Sequence, residues 1–354
     1  MTLLKVTTHS FLAILLSLFA FQIAVPAQVP PPPRTAPGPK IKRKMPKPPV
    51  RGDLPPNVEL GEGTTSERAI AVDPKAALDL CIIEGNVKIN GWKRSEVRAF
   101  VENGSKFAFR VLEKSADGGR PVWISLVGLN QLANGSTGTT ECIAGEDIEI
   151  DVPENAAFRL KGRETDISID TVRKISVSNV GGDISVREVA EGVSATTGRG
   201  VITVENSRGA MSLQSSSGNV IAFNVAPADI GDRFVARTNS GSVSLQKLGY
   251  RSADVTSISG SVLYAGELLS GGSLSLSTTN GAIRLVIPQN SSCRMIATYG
   301  FGNFNSELPF KVVTENIHPG PVKTVNGVLG SGDAILRLTT SSGSITIKKT
   351  SLKL

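Results

Sequence analysis

The chain has 354 residues, a formal net charge of +7, 36 glycines and only 5% aromatic residues. That length can bury a core in one or two domains. Lys5, Arg34, Lys40, Lys42, Arg43, Lys44, Lys47 and Arg51 all precede residue 57, against Asp53 alone; from Asn57 onward 30 basic residues face 30 acidic ones, which argues against a nucleic-acid reader.

Residues 1–27 read as a secretory signal peptide. Lys5 supplies the positive start, Phe11 to Val25 the apolar core, and Val25-Pro26-Ala27 a small-residue cleavage site before Gln28. An uncleaved anchor is the alternative, but the apolar run falls short of the about 20 residues a span needs. No Cys follows the core, so lipoprotein processing is not expected. Residues 28–56 form a Pro-rich basic linker, with Pro30-Pro31-Pro32-Pro33 followed by Lys40-Ile41-Lys42-Arg43-Lys44. Proline favours extended polyproline II, so a coreless tether is expected there. Its cations either meet anionic envelope polymers and lipid head groups or are simply solvated. Arg51-Gly52-Asp53 spells an integrin-binding tripeptide, a three-residue string that also recurs by chance.

Residues 57–354 are expected to be one β-repeat domain, opening with irregular coils over 57–151. Ala69-Ile70-Ala71-Val72, Leu78-Asp79-Leu80-Cys81-Ile82 and Val122-Trp123-Ile124-Ser125-Leu126 alternate as strands do, with longer polar loops between them. End coils of repeat proteins are atypical because they cap an exposed core, although a separate small β-domain would read similarly. Cys81 and Cys142 each sit a few residues before a glycine-led strand and could stack and bridge, or could remain buried free thiols beside Cys293. In 146–152, Ile148, Ile150 and Val152 face one way and Asp147, Glu149 and Asp151 the other. Three carboxylates on one strand face can hold a cation or supply an acid/base pair, or can be a solvated face offset by Lys161 and Arg163.

Regular repeats fill 152–354. One phrase recurs: a small polar run, a glycine, then alternating apolar residues. It appears as Ser216-Ser217-Gly218-Asn219-Val220, Asn239-Ser240-Gly241-Ser242-Val243, Ile258-Ser259-Gly260-Ser261-Val262 and Thr279-Asn280-Gly281-Ala282-Ile283, with a late copy in Ser341-Ser342-Gly343-Ser344-Ile345. Glycines 200, 218, 241, 260 and 281 stand 18, 23, 19 and 21 residues apart. A period near 20 residues marks stacked supersecondary units. The expected fold is all-β: a β-solenoid with hydroxyl-rich corners lining the outside, about twelve to fourteen coils of 4.8 Å giving a rod near 60 Å. A β-sandwich, whose turns come every 8 to 12 residues or so, is the alternative. After Ile287-Pro288 the rhythm breaks into an excursion over 301–332, where phenylalanines could plug the open core. A final coil from Ile335 to Ile347 follows, and Lys348, Lys349 and Lys353 would protect it as a last strand.

These phrases resemble the bacterial adhesin-type β-strand-repeat family, DUF4097. Asn86-Val87-Lys88-Ile89-Asn90-Gly91-Trp92 with Glu96-Val97, and Asp151-Val152-Pro153, are similar to that family's opening coil. The likeness runs from about Leu78 to Lys349. It implies an exported solenoid of the cell envelope and supplies no catalytic residues.

No constellation for catalysis stands out. His9 leaves with the leader, so a triad would depend on His318, and no Gly-x-Ser-x-Gly elbow accompanies it. No Gly-Lys pair makes a P-loop, and no third glycine completes a dinucleotide fingerprint. Gly181-Gly182-Asp183 is not repeated in tandem, and no His/Cys cluster suits zinc. The expectation is a non-enzymatic exported protein without cofactor, catalytic or metal residues, binding a surface polysaccharide or protein at the cell surface, in the periplasm or after secretion. Two alternatives stand beside it: a polysaccharide-acting β-helix enzyme built on Asp147, Glu149, Asp151, Asp166 and Asp170, and a self-assembling scaffold.

Overall fold

The structure, a computed structural model, describes residues 54–117, 119–317 and 321–350. The expected leader, the tether as far as Asp53, Arg51-Gly52-Asp53, His318 and Lys353 lie outside the described residues. Strict alternation of buried apolar and outward polar side chains makes strands. The described residues form 28 of them and no helix.

Most of these strands build rungs. A rung runs along a first wall, turns a glycine corner and continues along a second wall. Rung 1 is the unbroken strand Ala77–Trp92 and rung 2 is Ala157–Val172. Rung 3 is Lys174–Gly181 with Ile184–Val189, rung 4 Gly192–Arg199 with Ile202–Glu205, and rung 5 Ala210–Ser217 with Val220–Val225. Rung 6 is Phe234–Ser240 with Val243–Leu248, rung 7 Ser252–Ser259 with Val262–Ala265, and rung 8 Ser273–Asn280 with Ile283–Pro288. Every neighbouring pair is parallel and in register, so Val243 lies between Val220 and Val262, and Val255 between Ala236 and Leu276. That register is the expected β-solenoid; a sandwich would face antiparallel layers instead.

The chain departs from sequence order at the far end. The last described strands, Ala334–Ser342 and Ile345–Thr350, stack directly on rung 8. The earlier strands Cys293–Phe301 and Phe304–Ser306 stack beyond them, again parallel. The C-terminal segment is therefore rung 9, inserted between rungs 8 and 10. Phe304–Ser306 covers only Ile345 to Ile347, so Lys348 and Lys349 lie on an edge of the second wall that rung 10 does not reach, where the Lys349 backbone N–H donates to the Glu307 carboxylate at 3.2 Å.

Ten rungs replace the twelve to fourteen expected, because much of the remaining sequence folds antiparallel at the ends. Beside rung 1, Asp147–Pro153 continues the second wall in parallel, and Glu96–Glu102 and Glu67–Ala71 follow it antiparallel. On the first wall Pro121–Gln131 pairs with rung 1 over three residues and then with Phe107–Lys114. At the other end Lys323–Leu329 and Lys311–Ile317 extend rung 10 antiparallel. Phe304 and Phe310 pack against the core there, as a plug would, whereas Phe301 is 73% exposed.

The corner explains the repeated phrase. A Cβ on Gly260 would overlap the carbonyl oxygen of Gly241 in the rung below, and its φ is +156°. Only glycine fits so close an approach. Three residues before each corner glycine stands a buried hydroxyl. Ser215, Thr238, Ser257, Thr278 and Thr340 donate to the carbonyls of Gly200, Gly218, Gly241, Gly260 and Gly281 at 2.8–3.0 Å. These hydroxyls line the inside of the corner, not the outside as expected. A carbonyl crowded by the next rung is thereby satisfied where water has no access.

The disulfide Cys81–Cys142 is present, with Cα atoms 4.4 Å apart, and it ties rung 1 to the segment leading into Asp147–Pro153. Cys293 is a buried free thiol.

Candidate functional site: an acidic groove and a hydroxyl-rich wall

The second wall gathers the acidic residues singled out in the sequence. Asp147, Glu149 and Asp151 project from the strand beside rung 1, Asp166 and Asp170 from rung 2. Register places Asp147 against Asn86 and Asn86 against Asp166, so residues far apart in sequence form one column. A groove of about 640 Å³ opens here. It is lined by Asp147, Glu149, Asp166, Asp183 and Glu102, with Lys88, Asn86, Phe100 and the hydroxyls Ser168 and Ser185.

Asp147, Glu149, Asp151, Asp166, Asp170 and Asp183 are each engaged. Asn86 Nδ2 donates to Asp147 at 3.0 Å, while Lys88 Nζ and Asn90 Nδ2 reach Glu149 at 3.4 and 3.2 Å. Asp166 accepts the Asp183 backbone N–H at 2.8 Å, and Asp183 in turn accepts the Val201 N–H at 2.7 Å. Asp151 is nearly buried and takes the Arg98 guanidinium, whose Nε donates at 2.8 Å. Arg98 also lies over the Trp92 ring at 5.6 Å. Asp170 is bound by Arg187 and by the Thr171 hydroxyl. Burial alone would push the Asp170 carboxyl up, but hydrogen bonds from Arg187 and Thr171 and the charges of Arg187 and Lys88 hold it below its ordinary value. A proton donor of the glycosidase kind needs the opposite displacement. Among the described residues no group of three or more His, Cys, Asp or Glu is placed to hold a metal ion.

Lys161 and Arg163 do not offset this face. Lys161 pairs in register with Cys81 and Ser178 on the first wall, so the compensation comes from Lys88, Arg98 and Arg187. Asp183 and Glu102 were not legible as part of the cluster. Asp183 follows a glycine pair and joins only through its register beside Asp166, and Glu102 arrives on an antiparallel strand.

The first wall differs. Its strands, through the corner column, carry eight Lys and Arg against Asp79, Glu84, Glu164 and Asp254. Outward hydroxyls stack in register: Ser176 with Ser194 and Ser212, and Ser178 with Thr196. Farther along, Thr256 stacks with Ser277 and Thr339. Arg159 and Lys161 start these rows and Arg237 interrupts one.

Fold and surface together define a non-barrel parallel β-solenoid with antiparallel ends and two chemically distinct walls. The model of the family described as Toastrack DUF4097 matches residues 84–348, and the chain belongs to that family. One solved structure, of "a putative cell adhesion protein from Clostridium sporogenes ATCC 15579", shares 11% identity and covers 80% of this chain and 99% of its own, at a TM-score of 0.23. No curated protein matches.

Proposed function

We propose that this protein is an exported, non-enzymatic envelope protein of adhesin type that binds an anionic surface polysaccharide along its first wall. The observation that carries this reading is the outer face of that wall, where hydroxyl rows one rung apart are interspersed with an excess of cations. Hydroxyls supply sequence-tolerant hydrogen bonds to sugar hydroxyls, and the guanidinium groups suit carboxylates or phosphates along a polymer. Export is supported by the Cys81–Cys142 disulfide, since such bonds persist in oxidising compartments, and by the leader-like residues 1–27. The adhesin character comes from the family resemblance.

The test is co-sedimentation with cell-wall preparations and with acidic and neutral soluble polysaccharides. Binding to the acidic polymer, lost in an Arg159→Glu/Arg237→Glu variant that melts like the parent, is the expected result. Absence of binding to every preparation overturns the proposal.

The second reading, a polysaccharide-cleaving enzyme, is favoured by one observation, the acidic groove. Asp147, Glu149, Asp166 and Asp183 are tied into the wall by the bonds described above, which supports a structural role. Release of new reducing ends from a polysaccharide, abolished by Asp166→Asn or Glu149→Gln, would restore the enzyme reading.

A further inference from the structure

Net charge near zero in the folded body conceals a gradient along the second wall. From residues 147–153 through the second-wall parts of rungs 1 to 4, seven acidic side chains are met by Lys88 and Arg187 and, at Asp151, by Arg98 from the adjoining strand. The second-wall strands of rungs 5 to 10 carry Lys247, Arg284, Lys348 and Lys349 and no acidic residue. All four cations are exposed. Outward apolar side chains start at rung 5 with Ile221 and Phe223 and continue among the cations, with Leu263 and Ala265 on rung 7 and Val286 on rung 8. Phe223 is 37% exposed, with Lys247 Nζ 5.7 Å from its ring centre.

We propose that the second wall is a self-complementary interface that joins two copies of this chain face to face about a two-fold axis at rung 5. The symmetry follows from counting rungs. Rung 8, carrying Arg284, lies three steps beyond rung 5, and rung 2, carrying Asp166 and Asp170, lies three steps before it. At about 4.8 Å per step, both sit about 14 Å from the axis. Rung 6 with Lys247 and rung 4 with Glu205 lie one step to either side. A half-turn about an axis along the strands therefore sets Arg284 opposite Ser168, between Asp166 and Asp170, and Lys247 one residue from Glu205, and lays Phe223 on its own copy. An isologous contact needs this kind of self-complementarity. A parallel arrangement would oppose like charges, and the first wall, with its net excess of cations, lacks this opposition of ends, so the second wall is selected.

Seven rungs span about 30 Å and a six-residue strand about 20 Å, so each copy covers roughly 600 Å². The total of about 1,200 Å² sits at the small end of specific interfaces. The dimer is expected to be weak and salt-sensitive, since its charges lie on an exposed face. It would also bring the basic end of a second copy over the acidic groove. The inference stands apart from the proposed ligand, which occupies the other wall.

Sedimentation equilibrium of the full chain tests it. Association at about 50 mM salt that weakens at about 0.5 M is expected. Arg284→Glu/Lys247→Glu places carboxylates on both sides of each proposed charge pair, and Ser168→Lys/Glu205→Lys places cations on both sides. Each variant alone is expected to be monomeric, and their equimolar mixture to associate at low salt as the parent does. Thermal melts of both variants check that they fold. A parent chain that stays monomeric at low salt overturns the proposal without recourse to the variants. So does association indifferent to salt and to both reversals, or a mixture of folded variants that stays monomeric.

Discussion

The buried hydroxyl three residues before each corner glycine has a measurable energetic role. Thr278→Val keeps the shape but leaves the Gly260 carbonyl unpaired beside apolar neighbours. A loss of about 1–3 kcal/mol is expected, read by denaturant unfolding. Gly260→Ala meets the Gly241 carbonyl and a left-handed backbone together, and should lower stability by more than about 3 kcal/mol or prevent folding. The opposite sign is expected at Thr171, a β-branched residue held at φ 55° at the second corner of rung 2. Thr171→Asn tolerates that conformation and should raise stability by about 0.5–1 kcal/mol. Burial pushes the Cys293 thiol up to about 11 from its ordinary 9.0. The unfolded chain then ionises first, so this contribution to stability is complete below about pH 9 and is lost as pH rises toward 11. Cys293→Ser should flatten that alkaline decline in a pH series of melts.

At the scale of the element, the rungs were the legible part. Serine and asparagine before glycine, followed by Val-x-Leu, mark the corner and the second wall from sequence alone. The inward hydroxyls were misplaced because their residue type is polar: Thr278 follows Leu274 and Leu276 inward at period two, and alternation breaks only at the two residues after it. The acidic column was half legible. Asp147, Glu149 and Asp151 alternate on one strand and are readable locally. Asp183 reaches them only through inter-rung register, which depends on return lengths that no single repeat specifies. The insertion of rung 9 was not readable either, since residues 334–350 and 293–306 carry equivalent patterns and could exchange places without changing any local signal. The disulfide belongs to this scale too. It closes a loop with a sequence separation of 61, for which the chain-entropy model gives about 4 kcal/mol. Reduction should lower the melting temperature, and thiol titration of the unfolded protein should find one reactive cysteine before reductant and three after.

Across the whole molecule, the ends decide whether stacking stops. A parallel solenoid with bare terminal rungs would offer unpaired edges to another copy. Here the first end closes with two-residue strands, Val58–Glu59 and Glu62–Gly63, and the second wall stops at the three-residue strand Phe304–Ser306. Lys311–Ile317 is a longer edge but carries a register shift between Val312 and Thr314. Irregular, short edges discourage end-to-end growth. Removing residues 309–332 is expected to expose the Cys293–Phe301 edge and cause concentration-dependent fibre formation, followed by light scattering. A truncated chain that stays dispersed would show that the cap is dispensable.

The exchanged order of rungs 9 and 10 bears on when a newly made chain can finish. A polypeptide delivered N-terminus first can lay down its rungs one after another as far as residue 288. Residues 293–306 must then wait, because their neighbour, residues 334–350, is synthesised later. Until residues 334–350 arrive, both rung 8 and the waiting strand keep an unmatched edge, so this later segment acts as a latch on completion. A ribosome stalled late, or a protease trimming the tail, would hold the chain one step from closure.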